Sequence, residues 1–276
     1  MDAYDLRESV QSRKKYPFTD FIDKPIIIYY FVDPFCHKCW SLEPYIKKLT
    51  MEYGEYFNIR PIISHMFRDM PAKLLDYKIN KKIVSNNDHL TKYYGAIGIK
   101  AAALQGNKAG RDFLRSVQEA IFLYKKKETI HNILLYAAKH THLDRHEFEN
   151  DLFSLSAIKA YESDIQFMHE MNINQYPTLL FFSQYIEDYS MKVSGLQSYE
   201  SYTFVLKKML QMKSIETPKL SIKSCLKRYK RLNTDEIAFI FDMTKKEAEK
   251  KLKQLQLMQI VKRVEIDQNY FWEYCD

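Results

Sequence analysis

One stretch constrains this chain more than any other: IIIYYFVDPFCHKCWSLEPYIKKLT, from Ile26 to Thr50. Pro25 to Val32 is β-branched and aromatic, the composition of a buried central strand. Cys36-His37-Lys38-Cys39 follows at once. After it, Leu42, Tyr45, Ile46 and Leu49 recur at helical spacing, with Lys47 and Lys48 expected on the outside. Gly54 is the stop signal, and Phe57 to Ile63 is a second β-like run. Strand, cysteine pair, helix and strand in this order leave three readings of the pair. It is a thiol–disulfide centre, half of a zinc site, or a relic on a fold reused for something else.

The thiolate is the nucleophile in disulfide exchange. A cysteine at a helix N-terminus faces unpaired N–H groups and the positive end of the helix dipole, and His37 and Lys38 add positive charge nearby. In CxxC proteins the first thiol pKa falls to between ~3.5 and ~7.5. Cys36 is therefore the candidate attacking group and Cys39, one turn later, the resolving one. A second element is Tyr176-Pro177-Thr178 ahead of a later β-like run. Pro177 is the candidate for a cis proline facing a CxxC, although only about 5–6% of X–Pro bonds in folded proteins are cis. Tyr176, Pro177 and Trp40 are the candidate partner-facing residues around the pair. A metal reading needs about four ligands. Cys225 and Cys275 are isolated, and Asp144, expected to cap a helix, separates His140 and His142 from His146. No metal site and no cofactor are expected.

Between these two elements the pattern is helical. Gly98 to Leu123 is broken at Gly106-Asn107, Thr129 caps a helix to His140, Asp144 opens another, and Ala157 to Met171 follows. Residues 65–90 are polar with weak periodicity and read as a mobile loop. Pro177 to Phe182 and Met191 to Gly195 are strands joined by a turn around Asp188, and Ser198 to Met212 is a closing helix. The order is that of an α/β, thioredoxin-like (DsbA-type) fold with a helical insertion. The expected organisation is an N-terminal arm at 1–24, a thioredoxin-like domain at 25–215 with its insertion at about 95–172, and a smaller domain at 216–276. A linker at Glu216-Thr-Pro218 introduces the last of these. There, Thr234 to Phe241, a Thr244/Glu247 capping box opening a second helix, and a hairpin from Ile260 to Trp272 make a winged-helix-like pattern.

Charge narrows the partners. The net charge is +7, which permits an acidic partner without demanding nucleic acid. Residues 218–276 carry 13 Lys+Arg against 9 Asp+Glu. Their second helix has no arginine to read guanine in the bidentate way, and Glu247 and Glu249 interrupt its lysines. A solvated face or a protein contact is the expected use. The 38 Tyr and Phe read as core and surface aromatics rather than a base-stacking platform. The first residues lack an apolar signal core, and no run approaches the roughly 18 apolar residues of a membrane span. A cytosolic protein with free thiols is expected.

The blocks YYFVDPFCHKCWSLEPYIKKLTMEYGEYFNIRPI, KAAALQGNKAGRDFLRSVQEAIF, MNINQYPTLLFFS and MKVSGLQSYESYTFVL resemble the Spx-degradation adaptors of Gram-positive bacteria, the SpxH (YjbH) family, whose wider relatives are DsbA-like. The likeness extends into the C-terminal part, and the block around Cys36, Cys39 and the following SLEP is its most specific portion. The resemblance implies a cytoplasmic, non-catalytic adaptor that binds the transcription regulator Spx and presents it to the ClpXP protease, with residual thiol–disulfide exchange at the pair. The alternative is a cytosolic thiol–disulfide oxidoreductase using Cys36 and Cys39. Some relatives carry a zinc-associated His/Cys-rich N-terminal stretch. Residues 1–24 contain neither residue type, so zinc is not carried over.

Overall fold

A computed structural model describes residues 4–5, 24–65, 88–124, 128–152, 154–186, 189–211, 218, 220–266 and 268–275. Its centre is a five-stranded sheet. Strand β1 is Tyr4–Asp5, β2 Ile26–Val32, β3 Phe57–Ile63, β4 Thr178–Ser183 and β5 Ser190–Ser194. The order is β1-β5-β4-β2-β3. Strands β2 and β3 are parallel, as the crossover through helix α1 (His37–Tyr53) requires, and β4 runs antiparallel to β2. Strand β2 lies between two neighbours, which is why Ile26, Ile28, Tyr30, Phe31 and Val32 are all buried. The expected arm at 1–24 lies outside the described residues except for Lys24 and β1, which pairs with β5 through Tyr4 and Asp5.

Among the described residues the insertion holds five helices: α2 (Asp88–Leu104), α3 (Asn107–Phe122), α4 (Ile130–Lys139), α5 (Arg145–Asp151) and α6 (Leu155–Glu170). Thr129, Asp144 and Ser154 cap the last three by accepting backbone N–H groups with their side chains. Gly106, at φ +121°, separates α2 from α3. Helix α2 begins ten residues before the predicted start at Gly98. Gly95 and Gly98 look like breakers in sequence but are close-approach positions in space. A Cβ on Gly95 would stand 2.6 Å from the Phe35 ring, and one on Gly98 2.6 Å from Leu134. The predicted loop at 65–90 falls mainly on residues 66–87, outside the described residues, as do Asp188 and most of the predicted linker.

After α7 (Tyr199–Met209), a second hydrophobic cluster gathers Ile222, Cys225, Leu226, Ile237, Leu252, Val261 and Trp272. It is built from α8 (Ile222–Tyr229), β6 (Arg231–Leu232), α9 (Thr234–Ile240), α10 (Lys245–Leu257), β7 (Val261–Ile266) and β8 (Asn269–Tyr274), with strand order β6-β8-β7. Helices α9 and α10 and the hairpin follow the predicted order; α8 and β6 precede them and are additions to it.

Lys47 and Lys48 depart from the sequence expectation. Helical spacing puts them outside, yet they are only 6% and 4% exposed. Lys47 Nζ donates to Glu236 Oε1 at 2.6 Å, and Lys48 pairs with Asp242. The outer face of α1 is the seat of the C-terminal cluster. Arg115 of α3 reaches Glu236 at 2.9 Å and Glu119 at 2.8 Å, and Arg231 reaches Glu119 at 2.6 Å. Tyr229 Oη donates to the Lys47 carbonyl at 3.2 Å. Burial alone would raise the Glu236 carboxyl, but Arg115 and Lys47 outweigh it and hold it at about 2.

Candidate functional site

The Asp33-Pro34-Phe35 turn carries the chain from β2 into α1. Phe35 N–H donates to Asp33 Oδ1 at 2.8 Å, and Cys36 N–H donates to the Asp33 carbonyl at 3.0 Å. Cys36 is thereby fixed as the N-cap of α1, and its carbonyl accepts from Trp40 N–H at 3.1 Å. Both cysteines are free; Cys36 is half-buried and Cys39 fully buried. Tyr30 Oη anchors the turn from below by donating to the Cys39 carbonyl at 3.0 Å.

The two sulfurs are electrostatically unequal. A hydrogen bond from Cys39 is the main force lowering Cys36, acting against burial. Backbone N–H groups of Cys39 and Lys38 and the Lys38 charge add to it, and Cys36 settles at about 6. Cys39 is pushed far up by burial, by its hydrogen bond to Cys36 and by the Cys36 charge. This arrangement makes a thiolate at Cys36 near neutral pH and keeps a proton on Cys39, the division of labour that disulfide exchange needs.

Register places the proline segment at the same end of the sheet. Phe31, near the C-terminal end of β2, lies opposite Thr178, the first residue of β4. Tyr176–Pro177 is a cis peptide bond. The Pro177 carbonyl accepts from Gly195 N–H at 2.8 Å. Gly195 has φ +74°, and a Cβ there would meet the Gln175 side chain at 2.7 Å, so the position favours glycine.

The partner-facing expectation meets a different arrangement here. Tyr176 is buried, and its hydroxyl donates to Met168 Sδ at 2.7 Å. Burial is the main cause lifting its phenol to about 12, helped by the charge of Asp33. Pro177 is buried too. Both side chains pack into the protein interior. Trp40 is half-buried, stacked on Phe122 with centroids 6.0 Å apart, and covered by the Arg115 guanidinium at 4.1 Å from its ring centre. Helix α3 therefore roofs the start of α1, and His37 meets the same Phe122 edge-on at 5.7 Å. Sequence reasoning missed Arg115 and Phe122. Their i, i+7 spacing on α3 was a signal of one shared face.

Among the described residues, no group of three or more Cys, His, Asp and Glu side chains is placed to hold a metal ion. His140 Nδ1 bonds the Tyr136 carbonyl at 2.8 Å, and His146 Nδ1 meets Asn150 at 3.2 Å. Among them, too, no helix is long and apolar enough to cross a membrane.

A family model described as Thioredoxin matches residues 29–204. ClpXP adapter protein SpxH of Bacillus subtilis is 39% identical over 270 residues, covering 91% of this chain and 89% of its own length. This chain belongs to the SpxH family. The member from Halalkalibacterium halodurans is 36% identical over 275 residues, covering 92% of this chain and 90% of its own. Among solved structures, a "putative protein disulfide isomerase" from Nitrosomonas europaea superposes with TM-score 0.51 at 18% identity. It covers 68% of this chain and 97% of its own. That likeness carries the thioredoxin-like, DsbA-type fold and nothing further. The SpxH relatives, by contrast, match about nine-tenths of the chain.

Proposed function

We propose that this chain is an adaptor that binds the transcription regulator Spx and promotes its degradation by ClpXP, in the cytoplasm where that protease would act. The observation that carries the reading is identity of 34–39% with proteins named ClpXP adapter protein SpxH, spread over about nine-tenths of the chain. Support also comes from the way the thioredoxin-like part is finished. Its Tyr176 and Pro177 are covered, its first helix is given over to docking the C-terminal cluster, and Lys47 and Lys48 are committed to that contact. We read the two clusters as two domains meeting near residue 216. An adaptor holds one protein near another and raises the effective concentration of its degradation signal. It needs no turnover of its own.

One observation favours a second reading, thiol–disulfide exchange: the Cys36 thiol held at about 6. In that reaction the Cys36 thiolate attacks a partner disulfide, expelling one partner thiolate. Cys39 then loses its proton and displaces the second, leaving Cys36–Cys39 oxidised and the partner reduced. In a reconstituted reaction with ClpXP, ATP and Spx, addition of this protein should shorten the half-life of Spx several-fold. An unchanged half-life overturns the adaptor reading.

A further inference from the structure

The solvent side of α10 combines lysines with exposed apolar side chains. Ala248 and Leu252 bury one face of the helix against the C-terminal cluster. Lys246, Lys250, Lys253 and Leu257, at i, i+4, i+7 and i+11, share the opposite face. Leu257 is 86% exposed and Met258 beside it 67%. A leucine standing clear of the protein at the end of a lysine stripe has no packing role within this fold. Lys253 is paired with Glu249 at 2.9 Å, and Lys245 with Asp235 at 2.9 Å. Lys246 and Lys250 make no ion pair among the described residues. They are open charges on a rigid helix whose N-terminus is fixed by a reciprocal Thr244/Glu247 capping box.

We infer that this stripe is a docking face for an acidic protein segment that carries an apolar side chain beyond its carboxylates. The carboxylates meet Lys246 and Lys250, and the apolar side chain packs on Leu257 and Met258. One feature selects protein over nucleic acid. The helix ends in two exposed apolar side chains, which a phosphate backbone cannot use. The inference rests on the adaptor reading in one respect: Spx, the delivered protein, is taken to supply the segment.

The test measures Spx binding to the full chain by titration calorimetry. Wild type is compared with Lys246→Glu/Lys250→Glu and with Leu257→Asp. All the substituted side chains are solvent-exposed, so the fold should be retained, and the combined fluorescence of Trp40 and Trp272 checks this. The double charge reversal and Leu257→Asp should each weaken binding by about tenfold or more. Wild-type affinity should fall with added salt, and the charge-reversed variant should lose most of that dependence. Binding by both variants within twofold of wild type overturns the docking face while leaving the adaptor reading intact. Tighter binding of a short duplex DNA than of Spx, abolished by the same lysine reversal, overturns it in favour of nucleic acid. Failure of the wild type itself to bind Spx removes both the adaptor reading and this face.

Discussion

The corner around Cys36 and the outer face of α10 are opposites. At the corner the chemistry is finely adjusted: a helix N-terminus, a donated hydrogen bond and a nearby lysine hold one thiol at about 6. Around it Tyr176, Pro177 and Cys39 are buried and Trp40 lies beneath Arg115 and Phe122, while Cys36 itself is half-buried. On α10 no group is chemically unusual, yet an open lysine stripe ends in a bare leucine. The difference teaches that a reactive group and a binding surface are separate properties. A thioredoxin-like scaffold can keep its tuned sulfur while the protein's work moves to a surface that partners can reach.

The link between the two regions is the buried ionic cluster of Lys47, Arg115, Glu119, Arg231 and Glu236, and breaking it should have the largest effect. Glu236→Ala leaves Arg115 and Lys47 buried without their shared carboxylate, a loss of about 3–5 kcal/mol. The chain has two tryptophans, Trp40 beside the cysteine pair and Trp272 in the C-terminal cluster. In a Trp40→Phe background, Trp272 fluorescence should show that cluster unfolding at lower urea in the Glu236→Ala variant. Acid should act on the same contact. The Glu236 carboxyl is lowered in the folded state from 4.5 to about 2. Its stabilising contribution is therefore complete above about pH 4.5 and is lost as the pH falls towards 2. An Ala variant as stable as wild type would show that the C-terminal cluster is held by apolar packing alone.

A smaller effect is expected at the roof of the cysteine corner. Gly95→Ala forces a methyl group against Phe35, at a cost of about 1–3 kcal/mol. Because Phe35 belongs to the turn that sets Cys36, this substitution should also change Cys36 alkylation. Melting temperature and labelling rate read the two consequences separately.

Alkylation also sharpens the chemical side of the contrast. Iodoacetamide should label Cys36 far faster than Cys39 at pH 7, with a rate that rises through about pH 6 as the thiol ionises. Cys39→Ala removes the donated hydrogen bond, so the midpoint of that rise should move to higher pH. At pH values below the midpoint, thiolate and labelling rate should fall about tenfold for every pH unit the midpoint climbs. Equal labelling of the two cysteines, read by peptide mass spectrometry, would contradict the assigned asymmetry.

Much of the fold was legible because its signals are local. The β-branched run before Cys36, the Thr129, Asp144 and Thr244 caps and the break at Gly106 all act within a few residues of where they stand. Elsewhere distant contacts decide. Lys47 and Lys48 look like an exposed pair on an amphipathic helix, and their contacts with Glu236 and Asp242, nearly 200 positions away in sequence, are invisible to a local pattern. Gly95 and Gly98 weaken a helix in isolation, and only Phe35 and Leu134 explain them. Helix α8 is hard to see in the sequence because Ile222, Cys225 and Leu226 give too short an apolar pattern, and its capping box uses Ser221 and Ser224 without an acidic partner. At the site, the pair and the cis proline were read from their order along the chain, while the burial of Tyr176 and Pro177 depends on tertiary packing and could not be.

If this scaffold works by gripping a partner, its cysteine pair is dispensable for delivery. Timing Spx breakdown by ClpXP with no adaptor, with the native chain and with Cys36→Ser/Cys39→Ser bears on this most directly. Native and doubly substituted proteins should hasten breakdown to the same extent. Loss of the acceleration in a folded double-serine protein would mean that sulfur chemistry is part of delivery.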